Sequence, residues 1–210
     1  MGEVCFYFIR HGETLLNKLG KVQGWVDSPL TEDGCKAVCS LRWTFERMDI
    51  SAVYSSDLPR AYTTAEIICQ GFREVQKDKR IREWCLGSLE GVPARELVNI
   101  IVKKTGLNAE ELNIHLPLVC DTIKKLDRTG IAESFEDIVA RLLSFLKEIG
   151  NNRLAESGNI MVVTHAFVIK TLIHLFDFDR LKNINTVGNS SITIISYDGN
   201  NFRVRDIVNS

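Results

Sequence analysis

Three short stretches of this chain place cations and imidazoles where apolar runs end. Residues 4–9 form one such run, which stops at Arg10-His11-Gly12-Glu13-Thr14. A second stretch reads Ser55-Ser56-Asp57-Leu58-Pro59-Arg60-Ala61, and a third, Val163-Thr164-His165-Ala166, closes another apolar run. A guanidinium fork matches phosphate oxygens two at a time, and a neutral imidazole is a competent nucleophile toward phosphorus. Two arginines and two histidines of this kind point to phosphoryl chemistry at a single site. Asn17, three residues after Thr14, is placed to add a hydrogen bond from a first helical turn, and Gly12 leaves room for a close backbone approach to a ligand. Neighbouring cations favour neutral His11. An imidazole nitrogen that attacks phosphorus must be unprotonated, so the other ring nitrogen of such a histidine needs an acceptor, expected to be a backbone carbonyl.

Such residues, far apart in sequence, need a scaffold that brings strand ends together. Residues 4–9, 52–55 and 159–164 read as buried strands. Helices are expected from Thr31, a plausible N-cap, to about Arg47, from near Asp57 with Ala61, Ala65 and Ile68 at core spacing, and over 167–176. Phe135, Ile138, Val139, Leu142, Leu146 and Ile149 recur at three and four residues, an amphipathic helix after Glu133-Ser134. Residues 191–197 and 202–207, split by Asp198-Gly199-Asn200-Asn201, read as a closing hairpin. The fold class is therefore α/β: three α/β/α layers, a mostly parallel central sheet with helices on both faces. Ligands of such sheets bind beyond the carboxyl ends of the strands, where Arg10 and His11 fall. Residues 92–130 fit the alternation poorly and are read as a helical cap insertion over one sheet edge, with Pro93 in a first turn and Gly106 as a break.

With 210 residues and 45% hydrophobic content, the chain is expected to be a single domain over 1–210 that includes this cap. Twenty-six basic against twenty-seven acidic residues leave a net charge of −1, which argues against a nucleic-acid or anionic-membrane partner. No apolar run approaches the ~20 residues of a membrane helix. The six cysteines contain no CxxC pair and read as reduced thiols in a cytoplasmic protein. Cys35 and Cys39 lie four apart but lack a third ligand nearby, so no metal site is read.

"RHGET" with Asn17, then "QGWVDSPLTEDG", "SSDLPRAYTTA", "REWCLGSLEG" and "VVTHA", resembles the histidine phosphatase superfamily, the phosphoglycerate mutase-like enzymes. Five blocks agree in family order, from residue 4 to about 98 and again from 133 to 191. The resemblance implies that His11 is the nucleophile that becomes phosphorylated, and that Arg10, Arg60, His165 and Asn17 hold the phosphoryl group. It implies that Glu83 protonates the leaving oxygen and that Gln23 and Gly24 belong to a loop closing over the phosphate. Plainer readings stand beside these: Glu83 as a solvated acid or a partner of Arg82, Thr14 and Gln23 as capping or packing residues, His174 as a core or surface histidine, and the lysines of 103–125 as a solvated face.

Two departures shape the functional expectation. Ala166 stands where relatives commonly carry glycine, and the chain has no adjacent arginine pair such as phosphoglycerate mutases use for a second phosphate. The expected activity is that of a metal-independent phosphomonoesterase of the broad-specificity branch, working through phosphohistidine on a small phosphorylated metabolite. A cofactor-dependent phosphoglycerate mutase is the alternative. A noncatalytic phospho-ligand module is a third reading, disfavoured because His11, Glu83 and His165 are all present. No cofactor or metal is expected, and the partner is a small-molecule phosphomonoester. The physiological ester and the oligomeric state stay open, a homodimer being one option.

Overall fold

The computed structural model describes residues 2–208. The domain expected over 1–210 also takes in Met1, Asn209 and Ser210, which lie outside the described residues. The first half of the chain runs β1 (Val4–Arg10), α1 (Leu15–Lys18), α2 (Glu32–Glu46), β2 (Ile50–Ser55), α3 (Pro59–Cys69) and β3 (Val75–Lys77). The second runs α4 (Ala94–Thr105), α5 (Leu116–Leu126), α6 (Phe135–Arg153), β4 (Gly158–Thr164), α7 (Ala166–Phe176), α8 (Phe178–Leu181), β5 (Ile192–Tyr197) and β6 (Phe202–Val208).

The strands form one sheet in the order β3-β2-β4-β1-β5-β6. The first four of that order run parallel, and the β5–β6 hairpin closes the sheet antiparallel beside β1. Period-two alternation sorts the side chains between two cores. Phe6 and Phe8, Ala52 and Tyr54, and Ile160 and Val162 face one layer; Ile9, Val53, Met161 and Val163 face the other. The second layer contains α2 and α3, with Val38, Phe45, Ala61, Ala65 and Ile68. The first contains α6 and α7, extended outward by residues of α4 and α5.

Local chemistry accounts for the helix boundaries. Thr31 caps α2, its Oγ accepting from Gly34 N–H at 2.9 Å. Ser134 and Asp137 form a reciprocal capping box at the start of α6. The third helix begins at Pro59, near Asp57 as expected, because proline presets the first-turn dihedral and lacks only an N–H that a first turn leaves unpaired. Strand β3 was not anticipated: it has three residues, two of them exposed, and Val75 is its one apolar residue. The 92–130 segment is helical as expected and ends α4 at Gly106, whose φ of +77° suits glycine. Its principal contacts are with α6 and the turn at Gly87–Leu89 in place of the anticipated sheet edge.

For function the decisive feature is register. Arg10 pairs with Thr164 across β1 and β4, so His11 and His165 leave adjacent parallel strands side by side. Ser55 of β2 pairs with Val163 of β4, which brings the start of α3, and with it Arg60, to the same end of the sheet.

Candidate active site

His11 is buried, and its Nδ1 lies 2.8 Å from the Gly12 carbonyl. A carbonyl can only accept, so this contact puts the proton on Nδ1 and leaves the lone pair on Nε2. Arg60 Nε donates toward that Nε2 at 3.3 Å. Burial, then Arg60, then Arg10 drive the His11 pKa well below 6.5, against the raising effect of the Gly12 contact. The imidazole is thereby kept neutral. The His165 ring lies 5.2 Å away, centroid to centroid and inclined at 60°, fully buried and with neither nitrogen hydrogen-bonded. Its pKa is also well below 6.5, chiefly through burial and Arg60.

Arg10 donates Nη1 to the Val187 carbonyl at 2.6 Å, while its buried Nε has no partner. Arg60 is more heavily engaged: Nη1 reaches Asp27 Oδ1 and the Val26 carbonyl, each at 2.9 Å, and Nη2 the Gly24 carbonyl at 2.6 Å. It therefore ties the 24–27 loop to the nucleophile. Asn17 completes a capping box with Thr14 and accepts from Asn189 Nδ2, which also donates to the His11 carbonyl. Gln23 Oε1 accepts from Thr14 Oγ, so both residues pack and cap while Gln23 also lines the cavity. Gly24 gives its N–H to Glu90 and is boxed in, since a Cβ there would lie 2.3 Å from the Trp84 carbonyl. Gly12 was expected to admit a ligand. Its missing Cβ instead points at α2, where it would meet Val38 at 2.7 Å.

Glu83 is 3% exposed, which removes the solvated-acid reading, and Arg82 pairs with Asp57 through two 2.6 Å contacts. Glu83 Oε1 accepts from the N–H groups of Trp84 and Val168, and Oε2 from that of Phe167 in the first turn of α7. Burial raises its pKa above 4.5 and outweighs these amides together with Arg60 and Arg10. The segment is fixed from outside by Arg141, which donates to the Arg80, Arg82 and Glu83 carbonyls, and by Trp84, which bonds Thr171 and stacks on Phe167.

Arg10, His11, Asn17, Gln23 and Glu83 all line one cavity of about 440 Å³, together with Ala166, Phe167, Lys170 and Lys21. Arg60 and His165 lie against His11 behind that lining, and Gly24 behind Arg60. A neutral, oriented nucleophile, a cavity-facing guanidinium and a buried carboxylic acid can transfer a phosphoryl group and protonate an alcohol. His174 is wedged between Phe135 and Phe178 and takes no part. Among the described residues no group of three His, Cys, Asp or Glu side chains is arranged to hold a metal, and no helix is long and apolar enough to cross a membrane.

Sequence reasoning missed Glu90, although it stands in a quoted block. Its carboxylate accepts from the N–H groups of Gly24, Trp25, Val26 and Leu86, clamping the loop beside Gln23. Glu90→Ala strands four amides and is expected to lower kcat/KM about 10- to 100-fold and stability by about 2–3 kcal/mol; steady-state kinetics and urea unfolding check both. Asn189 and Lys170 were missed as well, since their site contacts join elements far apart in sequence.

The two neutral histidines also set an acid limit. Unfolded, they take up protons near 6.5; folded, only well below it, so the unfolded state binds more protons in that window. Stability therefore falls as pH drops below 6.5, by up to ~1.4 kcal/mol per pH unit for each histidine. Glu83, with its raised pKa, acts in the opposite sense. Urea midpoints at pH 7 and pH 5.5 measure the slope, and His165→Gln is expected to reduce it.

Comparison with known proteins matches residues 6–210 to the family model described as "Histidine phosphatase superfamily (branch 1)". "Phosphoglycerate mutase-like protein 4" of Arabidopsis thaliana is 29% identical over 206 residues, covering 94% of this chain and 81% of that protein. "Metal-independent phosphoserine phosphatase" of the same plant is 29% identical over 194 residues, covering 89% and 74%. A crystal structure of phosphoglycerate mutase from Bacillus anthracis superposes with a TM-score of 0.91 at 30% identity, covering 99% of this chain and 94% of that one.

Proposed function

The chain belongs to branch 1 of the histidine phosphatase superfamily, and from that premise we propose that it is a metal-independent phosphomonoesterase acting on a small phosphorylated metabolite through phosphohistidine. The observation that carries this reading is the pairing of His11 and Glu83 on one cavity. The first is held neutral with Nδ1 protonated; the second is buried with its pKa raised.

In the first step the Nε2 lone pair of His11 attacks phosphorus as the P–O bond to the alcohol breaks, and Glu83 delivers its proton to the departing oxygen. The Arg60 Nε–H that faces Nε2 redirects its hydrogen bond to the phosphoryl oxygens, and the unpartnered Arg10 Nε–H meets the same charge. His165, unpartnered beside His11, contributes a ring N–H. Asn17 and Gln23 border the same phosphate space. In the second step water loses a proton to the Glu83 carboxylate and attacks phosphorus, the P–N bond breaks, and phosphate leaves. Ala94, the first residue of α4, lines the same cavity and bounds the space left for the alcohol.

A second reading, isomerisation of a phosphoglycerate, draws on the name carried by the Bacillus anthracis protein. It asks for a second strong phosphate grip, and the sequence lacks the arginine pair. EDTA-treated protein assayed on a phosphomonoester panel, and on 3-phosphoglycerate with and without 2,3-bisphosphoglycerate, separates the two. Phosphate release without isomer formation is expected; isomer formation stimulated by the bisphosphate would replace the proposal with the mutase reading.

A further inference from the structure

Lys170 stands on the second turn of α7, 7% exposed, and lines the cavity with Arg10, His11 and Glu83. Burying an ammonium is costly unless it is compensated. Here it gives two of its three donors to uncharged oxygens, Asn113 Oδ1 at 2.6 Å and the Asn185 carbonyl at 3.2 Å, and forms no ion pair with an acidic side chain among the described residues. The charged groups facing it are Arg10 from β1, which disfavours its charge, and Glu83 from the loop before α4, which favours it. The mechanism leaves this cation and its third N–H unused.

We propose that Lys170 is a specificity residue whose ammonium binds a carboxylate on the phosphomonoester, so that the substrate class is a phosphorylated hydroxy acid or amino acid. The inference rests on the phosphomonoesterase reading of the same cavity. One remaining donor and a single charge match a monoanion; a second phosphate, a dianion, would call for guanidinium forks. Asn113 and Asn185 hold the ammonium in place, so little side-chain entropy is lost on binding. Burial and Arg10 bring the Lys170 pKa down to about 8, so the grip weakens in mild alkali.

The test uses a matched pair: 3-phosphoglycerate, and the glycerol phosphate in which its carboxylate is replaced by hydroxymethyl. Binding is measured by calorimetry on the His11→Ala protein, which cannot consume either compound, and phosphate release on the parent enzyme. The carboxylate ester is expected to bind about 10- to 100-fold more tightly. Lys170→Met is expected to erase that ratio, weakening the carboxylate ester far more than glycerol phosphate. In the parent the preference is expected to shrink as pH rises through 8, a change common to neither ester alone, and Lys170→Arg is expected to retain it there. If Lys170→Met does not fold, the parent's pH dependence and Lys170→Arg decide. Equal losses on both esters, or no preference in the parent, overturn the inference and make Lys170 a tether for the 111–113 turn. A preference in binding without phosphate release from either ester leaves this inference standing and removes the phosphatase reading; release without preference does the reverse.

Discussion

Replacing His11 with alanine is expected to abolish turnover, lowering kcat/KM by about 10⁴-fold or more, because a nucleophile that acts as one unit with its acid leaves little residual rate. The fold should survive. His11 contributes no regular strand or helix hydrogen bond through its side chain, and its loss strands the Arg60 Nε–H and the Gly12 carbonyl, at about 1 kcal/mol each. Removing it also removes one buried imidazole that resists protonation, so the acid slope of stability becomes shallower. Steady-state kinetics with circular dichroism and urea unfolding separate the two effects. Normal folding with retained turnover would exclude His11 as the nucleophile.

Glu83→Gln is expected to divide substrates by their leaving groups. An alkyl phosphate departs as an alkoxide unless a proton arrives, so its kcat/KM falls by about 10²–10⁴-fold, whereas an aryl phosphate, with a stable phenolate, changes little. The comparison belongs in kcat/KM, which covers steps up to alcohol release. The aryl kcat should fall, because hydrolysis of phosphohistidine needs the same carboxylate as base. The substitution is not neutral structurally. Both carboxyl oxygens of Glu83 accept from backbone amides, and glutamine must turn an NH₂ toward one of them, at about 1–3 kcal/mol. In the parent, the raised Glu83 pKa places the alkaline limb of alkyl-ester kcat/KM above the ordinary carboxylate value, and the lowered His11 pKa places the acid limb below the ordinary histidine value. The variant should lose the alkaline limb. Equal slowing of alkyl and aryl esters in kcat/KM would discredit Glu83 as the acid.

What the sequence made legible was whatever local chemistry decides. Thr31 and Ser134 announce their helices because capping is settled within three residues, and residues 4–9 and 159–164 announce core strands through unbroken apolar runs. Arg10, His11 and His165 were legible because strand ends are where such a sheet binds ligands. The register that pairs Arg10 with Thr164 is not in either segment alone. Nor is the clamp of Glu90 on three loop amides, or the tie from Asn189 to His11 across 178 residues. Lys170 was hidden for a different reason: among Val168, Ile169, Leu172 and Ile173 it reads as the one lysine on an apolar helix, and only the placement of Asn113 and Asn185 reveals that it is buried in the cavity wall. Arg60 was foreseen at the site but not its ties to Gly24, Val26 and Asp27, which need the loop's three-dimensional course.

The central claim is a covalent phosphoryl group on His11, and Glu83→Gln makes it visible. With an aryl phosphate the first step proceeds while the second lacks its base, so phosphoenzyme accumulates. Rapid mixing of this variant with a nitrophenyl phosphate, followed by an alkaline quench and peptide mass spectrometry, is the measurement to make. The account predicts a stoichiometric burst of nitrophenol and an acid-labile phosphoryl group on the peptide carrying His11. Turnover without a burst, or a phosphoryl group on any other residue, would contradict it.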